Sequence, residues 1–339
     1  MFRVLGILVT VLFAIATAVL VWPQFFRLEQ TYPFAQLVAV RGAVALAYGV
    51  IVVLALLLLF AKPLRGFAAS ILIVALIGAG ASIAIGAVRG LGTDALPERT
   101  EGSVRVMTWN TAGEAIPAED IASEILEQDA DIVALPETAE SVGARIAVML
   151  REQGHPMWVH HVQFNPDIPD GPQAWQTTIL ISPELGDYSV IQSSVDGSSN
   201  TSSVPSAVVM PVDGDGPTVV AVHAVAPRPE AMDHWQSDLA WIADQCPEGD
   251  FILAGDFNAT IDHMASLGVD GGDMGYCRDA AAATGNGAVA TWPASLPELV
   301  GAPIDHIMAS RNWEPVGSVV LDADGSDHRG LVVQLDPAG

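Results

Sequence analysis

The chain has 339 residues, long enough for a membrane region followed by one large domain. Seven of the 14 basic residues but only four of the 39 acidic residues occur up to Glu101, so the remainder holds seven basic and 35 acidic residues, a formal net charge of −28. A domain this acidic repels polyanions, and nucleic-acid binding normally rests on Lys and Arg side chains that neutralise phosphates. Duplex DNA is therefore a poor expected substrate, although acidity that serves only solubility or salt tolerance is an open alternative.

Three apolar stretches precede the polar part of the chain. We predict transmembrane helices at about 5–22, 37–61 and 66–88, because a helix needs roughly 20 apolar residues to cross a bilayer core. A cleaved signal peptide is the competing interpretation of the first stretch. Its long apolar core and the two stretches that follow favour an anchor.

The basic residues around these stretches predict their orientation. Arg3 precedes the first stretch, and Lys62 and Arg65 lie in the short turn between the second and the third. Because Lys and Arg are enriched on the cytoplasmic side, we expect a multi-pass protein of the cell membrane with an extracytoplasmic domain. Arg27 and Arg41 fall on the opposite side and weaken this signal. The expected partner is the lipid bilayer, and no protein partner is inferred.

The pattern changes after residues 89–102, which are predicted to form a linker. Short apolar runs alternate with amphipathic ones from there on, which predicts an α/β domain over 103–339 with sheets faced by helices. Strands are expected at 104–108, 131–136, 157–162, 177–182, 206–211, 218–223, 250–254, 304–309, 316–321 and 331–335. Helices are expected at 117–128, 139–153 and 228–245, and loops at 165–173 and 193–205.

The chain contains two cysteines, Cys246 and Cys277, without the spacing of a zinc site. In an oxidising compartment they could pair, but the sequence does not show whether they come within reach of each other. A disulfide and two free thiols are both open at this stage.

Six short polar motifs stand at the ends of apolar runs in this domain. They are Trp109-Asn110, Pro136-Glu137, Val222-His223, Gly255-Asp256-Phe257-Asn258, Ile304-Asp305-His306 and Ser326-Asp327-His328. Carboxylate, carboxamide and imidazole side chains suit a hard divalent metal and in-line attack on a phosphate ester. We therefore predict one site assembled from many strand ends.

The order of these motifs, from Val104 to about Leu335, resembles the endonuclease/exonuclease/phosphatase superfamily of deoxyribonuclease I-like, metal-dependent phosphoesterases. The resemblance implies a four-layer αββα sandwich, here preceded by a bundle of three transmembrane helices. It implies water-mediated hydrolysis of a phosphodiester or phosphomonoester with Mg²⁺, or alternatively Mn²⁺. The substrate would be a phospholipid head group, a nucleotide or nucleic acid. An extracellular nuclease and a non-catalytic binding module on the same fold are the alternatives.

The resemblance also implies a metal site. Glu137 would ligate the metal, Asn110 would lie beside the metal or the phosphate, and Asp327 would lie near the same metal. The family usually has Gln where this chain has Pro136, and some nuclease members have Asp where it has Ala112. We expect the loss of that Gln to affect fine geometry rather than metal binding.

The catalytic roles carried over by the resemblance fall on five further residues. Asp256 would orient or deprotonate the attacking water, and Asn258 would hold a phosphate oxygen. His223 and His328 would bind the phosphoryl group and serve as acid or base, with Asp305 orienting His328. Asp256 and Asn258 are two residues apart, so on a strand their side chains would share one face.

Several other polar and aromatic residues are expected to be structural. His306 follows Asp305 directly, so on a strand its side chain should point away from the site. The remaining histidines are expected at the surface or in packing: His155, His160, His161, His234 and His263. Trp109 and Trp292 are expected in the core, and Asp322 and Asp324 in a turn.

Overall fold

The computed structural model describes residues 2–93, 95–113, 115–164, 171–191, 201–322 and 325–339. The helices are α1 (Phe2–Val21), α2 (Pro23–Phe26), α3 (Phe34–Ala39), α4 (Arg41–Leu58), α5 (Arg65–Arg89), α6 (Ala118–Gln128), α7 (Glu140–Glu152), α8 (Met232–Asp244), α9 (Ile261–Met264) and α10 (Ala280–Ala283). The strands are β1 (Val104–Thr108), β2 (Ile132–Pro136), β3 (Trp158–Gln163), β4 (Gln176–Ile181), β5 (Tyr188–Ile191), β6 (Ala207–Pro211), β7 (Thr218–His223), β8 (Phe251–Asp256), β9 (Arg278–Asp279), β10 (Asp305–Ala309), β11 (Trp313–Leu321) and β12 (Gly330–Pro337). The loops expected at 165–173 and 193–205, and the turn residue Asp324, lie mostly or wholly outside the described residues.

Three helices of the N-terminal region are long and apolar enough to cross a membrane, judged by length and composition: α1, α4 and α5. The helix α4 is shorter than the predicted span at about 37–61, because non-helical Val40 separates it from α3. Arg41, the first residue of α4, forms an ion pair with Asp262 of the following domain. The pair places a charged, part-buried group at the start of α4, where its apolar sequence begins.

The three long helices pack against one another through small residues. A Cβ added to Gly78 of α5 would come within 2.6 Å of the Tyr48 ring of α4, so only glycine allows this approach. Gly6 of α1 faces the Phe67 ring of α5. The end of α1 that carries Arg3 therefore lies beside the turn between α4 and α5.

The remainder of the chain forms two six-stranded mixed sheets that pack face to face, hereafter the sandwich. Their strand orders are β11-β12-β1-β2-β4-β3 and β5-β6-β7-β8-β10-β9. Parallel pairing joins β1 to β2 and β7 to β8, and the other pairs are antiparallel. The predicted α/β architecture is confirmed.

Alternation along the strands explains the four layers. In β1, Val106 packs into the core between the sheets, whereas Met107 faces the helices α6 and α7. In the second sheet, Val219 points inward and Val220 packs against α8. Each sheet is thus buried on both faces, which accounts for its nearly continuous apolar sequence.

Two short strands, β5 and β9, were not predicted, and α8 begins at Met232 rather than at Arg228. Pro229 explains the later start, because the residue before a proline is disfavoured in helical conformation. Cys246 and Cys277 are joined in a disulfide, with their Cα atoms 5.9 Å apart. This bond ties the end of α8 to the segment before β9.

Candidate functional site

Three of the eight candidate site residues lie side by side at one edge of the second sheet. In the strand register, His223 at the end of β7 is paired with Asp256 at the end of β8, and Asp256 is paired with Asp305 at the start of β10. The carboxyl ends of the parallel strands β7 and β8 meet at this edge. The three groups come together because the buried strands β7 and β8 end, and β10 begins, at this edge.

The first sheet contributes Asn110, two residues after β1, and Glu137, directly after β2. The Asn110 side chain joins the two sheets: its Nδ2 atom lies 3.2 Å from Glu137 Oε1 and 3.1 Å from Asp256 Oδ2. Its Oδ1 atom accepts a hydrogen bond of 3.0 Å from the Ala112 backbone N–H. Asn110 is 1% exposed, so its amide holds the two carboxylates in a fixed relation.

Asp256 is further held by Asn258. The Asn258 backbone N–H donates to Asp256 Oδ1 at 2.8 Å, and Asn258 Nδ2 donates to Asp256 Oδ2 at 3.1 Å and to the Ala224 carbonyl at 2.9 Å. Asn258 has φ 46° and Glu137 has φ 59°, the left-handed region that side-chain-bearing residues seldom adopt. Such conformations cost about 1–3 kcal/mol each and cluster at functional sites.

His328 and Asp305 form a hydrogen-bonded pair. His328 Nδ1 donates to Asp305 Oδ2 at 2.8 Å, which leaves Nε2 directed toward Asp256 Oδ2 at 3.8 Å. The Thr291 hydroxyl oxygen accepts from the Asp305 backbone N–H at 3.1 Å, and Trp109 Nε1 donates to the His328 carbonyl at 3.0 Å. Sequence reasoning missed Thr291, because a single hydroxyl in a loop carries no recognisable pattern.

His223 faces the same cleft from the other side. Its Nε2 atom lies 3.8 Å from Glu137 Oε1. The backbone N–H of His223 donates to the Ser206 hydroxyl at 2.8 Å, which fixes the end of β7. The Nδ1 atom is buried and has no hydrogen-bond partner among the described residues.

Burial and neighbouring charges shift the pKa values of Asp256, His328 and His223 in different directions. Burial raises the pKa of Asp256 to about 7, and the Asp305 charge adds to this rise against the opposing effect of His328. Burial alone would lower the pKa of His328, but the charges of Asp305 and Asp256 outweigh it and raise that pKa to about 10. Burial lowers the pKa of His223 to about 3, with the His328 charge adding to the fall. A neutral imidazole therefore stands beside an imidazolium.

Asp327 lies at the rim. Its side chain is exposed, and its Oδ2 atom accepts a hydrogen bond of 3.0 Å from Trp292 Nε1. Trp292 is 39% exposed, so its predicted core position was wrong, whereas Trp109 is completely buried as predicted. Trp292 lies in an irregular surface segment. The presence of a tryptophan in the sequence does not by itself indicate that its segment is exposed.

One group of three side chains and one further carboxylate, Glu137, are candidates for holding a divalent metal. Asp256, Asp305 and His328 each offer an atom within 4.8 Å of the others. Within this group, however, the 2.8 Å contact between Asp305 and His328 is that of a hydrogen bond. Glu137 is the better match to Mg²⁺, because its side chain is 27% exposed and leaves room for the coordinating waters that this ion retains.

The histidines expected to be structural all lie outside the cleft. His306 points away from the cleft, with Nδ1 on Asp279 Oδ2 at 2.5 Å and Nε2 on the Ala259 carbonyl at 2.8 Å. His263 is buried in packing at α9, and His234 is exposed on α8. His155, His160 and His161 are partly buried outside the cleft.

Comparison with solved structures shows that the fold is shared. Against an endonuclease/exonuclease/phosphatase from Beutenbergia cavernae, the TM-score is 0.52 at 20% identity, covering 70% of this chain and 72% of that one. Against a family protein from Leptotrichia buccalis, it is 0.52 at 15% identity, covering 69% and 99%. Against D. rerio TDP2 complexed with a single-strand DNA product, it is 0.50 at 16% identity, covering 69% and 99%.

A search of curated proteins returned no match. The model of the Endonuclease/Exonuclease/phosphatase family, by contrast, matches residues 107–328, which run from β1 to the last candidate site residue. This match covers more than half of the chain. Members of the family are mostly phosphoester hydrolases that depend on a divalent metal. The chain belongs to the Endonuclease/Exonuclease/phosphatase family.

Proposed function

We propose that this protein is a membrane-anchored, divalent-metal-dependent phosphoesterase that hydrolyses a phosphodiester or phosphomonoester by in-line attack of water. One observation carries the proposal. The Asn110 amide joins Glu137 of one sheet to Asp256 of the other, so that a metal-binding carboxylate and a basic carboxylate face one cleft. The imidazoles of His223 and His328 complete that cleft.

Asp256 is suited to orient the attacking water and to accept its proton, because a carboxylate whose pKa is raised is a better base than a free one. His328 Nε2 is directed toward the same cleft and carries a proton that can neutralise charge on the phosphate or the leaving oxygen. Asp305 acts through His328 as a positioning residue. The neutral His223 imidazole would contact the phosphoryl group.

Asn258 has a constrained part in this scheme. Both of its Nδ2 hydrogens are donated within the protein, to Ala224 and Asp256. To hold a phosphate oxygen, the amide would have to release one of these partners on substrate binding. Until then it fixes the orientation of the Asp256 carboxylate.

Glu137 would hold Mg²⁺ or Mn²⁺, with Asn110 and Asp327 beside it. A bound divalent cation supplies positive charge against the phosphate and leaving-group oxygens. The donor set fits a hard cation, since Glu137 and Asp327 are carboxylates that reach solvent. The protein groups position the water and the proton regardless of which of these ions is bound.

We also propose the organisation in which the site works: transmembrane helices within 1–88, a linker at 89–102 and a catalytic domain at 103–339 outside the cytoplasm. Arg3, Lys62 and Arg65 lie together at one end of the helices. At the opposite end, Arg41 and Arg89 are both paired with Asp262, which offsets one of their two positive charges and leaves that end less positive than the end with Arg3, Lys62 and Arg65. The Cys246–Cys277 disulfide also favours an oxidising compartment.

The tether favours a phosphate ester in or near the bilayer, such as a phospholipid head group, over a free nucleotide. A nuclease is the second candidate, because the similar D. rerio TDP2 structure holds a single-strand DNA product. The formal charge of −28 after Glu101 opposes this candidate. Rapid, Mg²⁺-dependent nicking of plasmid DNA at low salt would favour the nuclease instead.

The test is hydrolysis of bis(p-nitrophenyl) phosphate by the full chain in detergent. We expect activity with Mg²⁺ or Mn²⁺, loss with EDTA, and a fall in kcat of about 10²–10⁴-fold in Asp256→Ala and in His328→Ala. His234→Ala, exposed on α8, is the control and should keep full activity. Undiminished activity in either site variant would show that the hydrolysis does not depend on this cleft. No activity in the wild-type protein with these metals would leave the binding-module alternative.

A further inference from the structure

A cavity of about 260 Å³ lies where α4 and α5 meet the sandwich. Its walls on the helix side include Ala45, Ser82, Ile83 and Gly86, and its walls on the sandwich side include Leu299 and Pro303. The charged groups among its lining residues are Arg41, Arg89 and Asp262. The eight candidate site residues are absent from this lining within the described part of the chain, so the cavity is separate from the hydrolytic cleft.

The charges in this cavity do not balance. Asp262 Oδ2 accepts from Arg41 Nε at 2.5 Å and from Arg89 Nη1 at 2.8 Å. Asp262 Oδ1 accepts from Arg41 Nη2 at 2.7 Å, Arg89 Nη2 at 2.9 Å and Gln24 Nε2 at 3.0 Å. Among the lining residues, one carboxylate thus faces two guanidinium groups. Two further carboxylates act on Arg89 from outside the lining: Asp279 is paired with His306, and Asp273 accepts from the Asp279 backbone N–H. Within the lining, one positive charge is left in excess.

Arg89 has donors to spare. A guanidinium carries five N–H groups, and Arg89 gives two of them to Asp262. The other three have no acceptor among the described residues, and the side chain is 20% exposed. Such a fork of free N–H groups matches the geometry of a phosphate.

The position of the cavity identifies the source of that phosphate. Arg41 is the first residue of α4 and Arg89 the last of α5, so both stand at the end of the spans where head groups of a bilayer lie. Below them, Ala45 of α4 and Gly86 of α5 line the cavity with little side-chain volume. A pocket of this volume, slightly smaller than the roughly 300–1,000 Å³ of small-molecule sites, admits only part of a lipid.

We propose that this cavity binds an anionic phospholipid of the bilayer. The lipid phosphate lies on the free N–H groups of Arg89, and the adjoining glycerol and upper acyl chain lie between α4 and α5. The bound lipid cancels the excess charge and joins the spans to the sandwich. The proposal rests on the membrane insertion proposed above but not on hydrolysis.

The test is a thermal unfolding titration of the full chain in detergent with phosphatidylglycerol and, separately, phosphatidylcholine. We expect phosphatidylglycerol to raise Tm saturably and phosphatidylcholine to have little effect. Arg89→Gln should weaken the apparent affinity for phosphatidylglycerol by about tenfold or more, through loss of a charge-assisted contact. Arg65→Gln, at the other end of α5, should leave it unchanged.

Because Arg89→Gln also disturbs the Asp262 ion pairs, a second variant fills the cavity and keeps those pairs. Gly86→Leu should reduce the phosphatidylglycerol effect. Gly80→Leu on the same helix, where an added Cβ meets no atom within 4 Å, should not. Equal effects of the two lipids, or an unchanged effect in Gly86→Leu, would overturn the proposal. Hydrolysis of bis(p-nitrophenyl) phosphate by the same preparations reports separately on the proposed enzyme.

Discussion

Asp256 and Asp262 are buried carboxylates six residues apart, yet their surroundings act on them in opposite ways. Asp256 lies in the candidate cleft, and Asp262 lies with Arg41 and Arg89 where α4 and α5 meet the sandwich, hereafter the junction. At the cleft, burial raises the pKa of Asp256, and the neighbouring charge of Asp305 raises it further. At the junction, burial also acts to raise the pKa of Asp262, but hydrogen bonds from Arg89 and Arg41 outweigh it and lower that pKa well below its usual range. The same side chain is thereby a base in one place and a permanent anion in the other.

The difference in pKa between the two carboxylates arises from the charged groups next to each of them. Asp256 shares its surroundings with a second carboxylate and one imidazolium, so the site keeps a group that can exchange protons near neutrality. Asp262 faces two guanidinium groups that do not lose their protons, so it stays charged near neutrality and serves as their ion-pair partner. The proposed function needs a group of the first kind, whereas the second kind serves to hold the N-terminal helices to the sandwich.

The largest expected effect concerns a substitution in the cleft. Asp305→Asn keeps the shape but removes the charge that raises the pKa of His328 and of Asp256. We expect kcat to fall about 10²-fold and the limb of the pH profile that reports His328 to move to lower pH. A pH–rate profile with bis(p-nitrophenyl) phosphate measures both. A uniform loss of rate with an unmoved profile would mean that Asp305 has a structural role alone.

A second prediction concerns the junction. Asp262→Asn leaves two guanidinium groups without their anion, and we expect the free energy of unfolding of the full chain to drop by about 3 kcal/mol. Asp270→Asn is the matched control, because Asp270 and Arg311 form an exposed ion pair, with side chains 68% and 50% exposed. That control should change stability by about 0.5 kcal/mol or less. Equal effects of the two variants in denaturant titrations would show that the junction is not held by charge.

The sequence predicted the positions of the cleft residues but not the contacts at the junction, for physical reasons. Buried strands end where their apolar runs end, so residues such as Glu137 and Asp256 could be placed at one edge of the sandwich from pattern alone. The pairing of Asp305 with His328 came from the family resemblance. Arg41 and Arg89 meet Asp262 across 221 and 173 residues, and no local pattern encodes contacts at that separation.

A third prediction follows from protonation at the junction. His263 is a neutral ring there: Nδ1 accepts from the Thr260 backbone N–H at 2.8 Å, so the 2.9 Å contact of Nε2 with the Ala35 carbonyl is a donated bond. Burial lowers the pKa of His263 to about 4 from an ordinary 6.5. The unfolded chain therefore binds the extra proton first, and stability is lost as the pH falls below 6.5.

Asp262 continues this trend at lower pH. Its folded pKa lies below the ordinary 3.8, so its contribution is present above 3.8 and disappears as the pH falls further. We expect Tm of the full chain to fall by several degrees between about pH 7 and pH 4. His263→Gln should flatten that fall. A His263→Gln curve parallel to the wild-type curve would assign the decline to other groups.

The smallest expected effect tests the rim between the two regions. Trp292→Phe removes the indole N–H that holds Asp327, while keeping an aromatic ring in the surface segment that leads to Leu299. That segment reaches the membrane helices, since a Cβ on Gly42 of α4 would clash with the Leu299 carbonyl. Because the Trp292 bond is partly exposed, we expect the Mg²⁺ concentration for half-maximal activity to rise about threefold, with kcat nearly unchanged. Trp158→Phe, a 53% exposed tryptophan on β3, is the control. If the two variants respond identically to Mg²⁺, Asp327 does not need Trp292 to bind the metal.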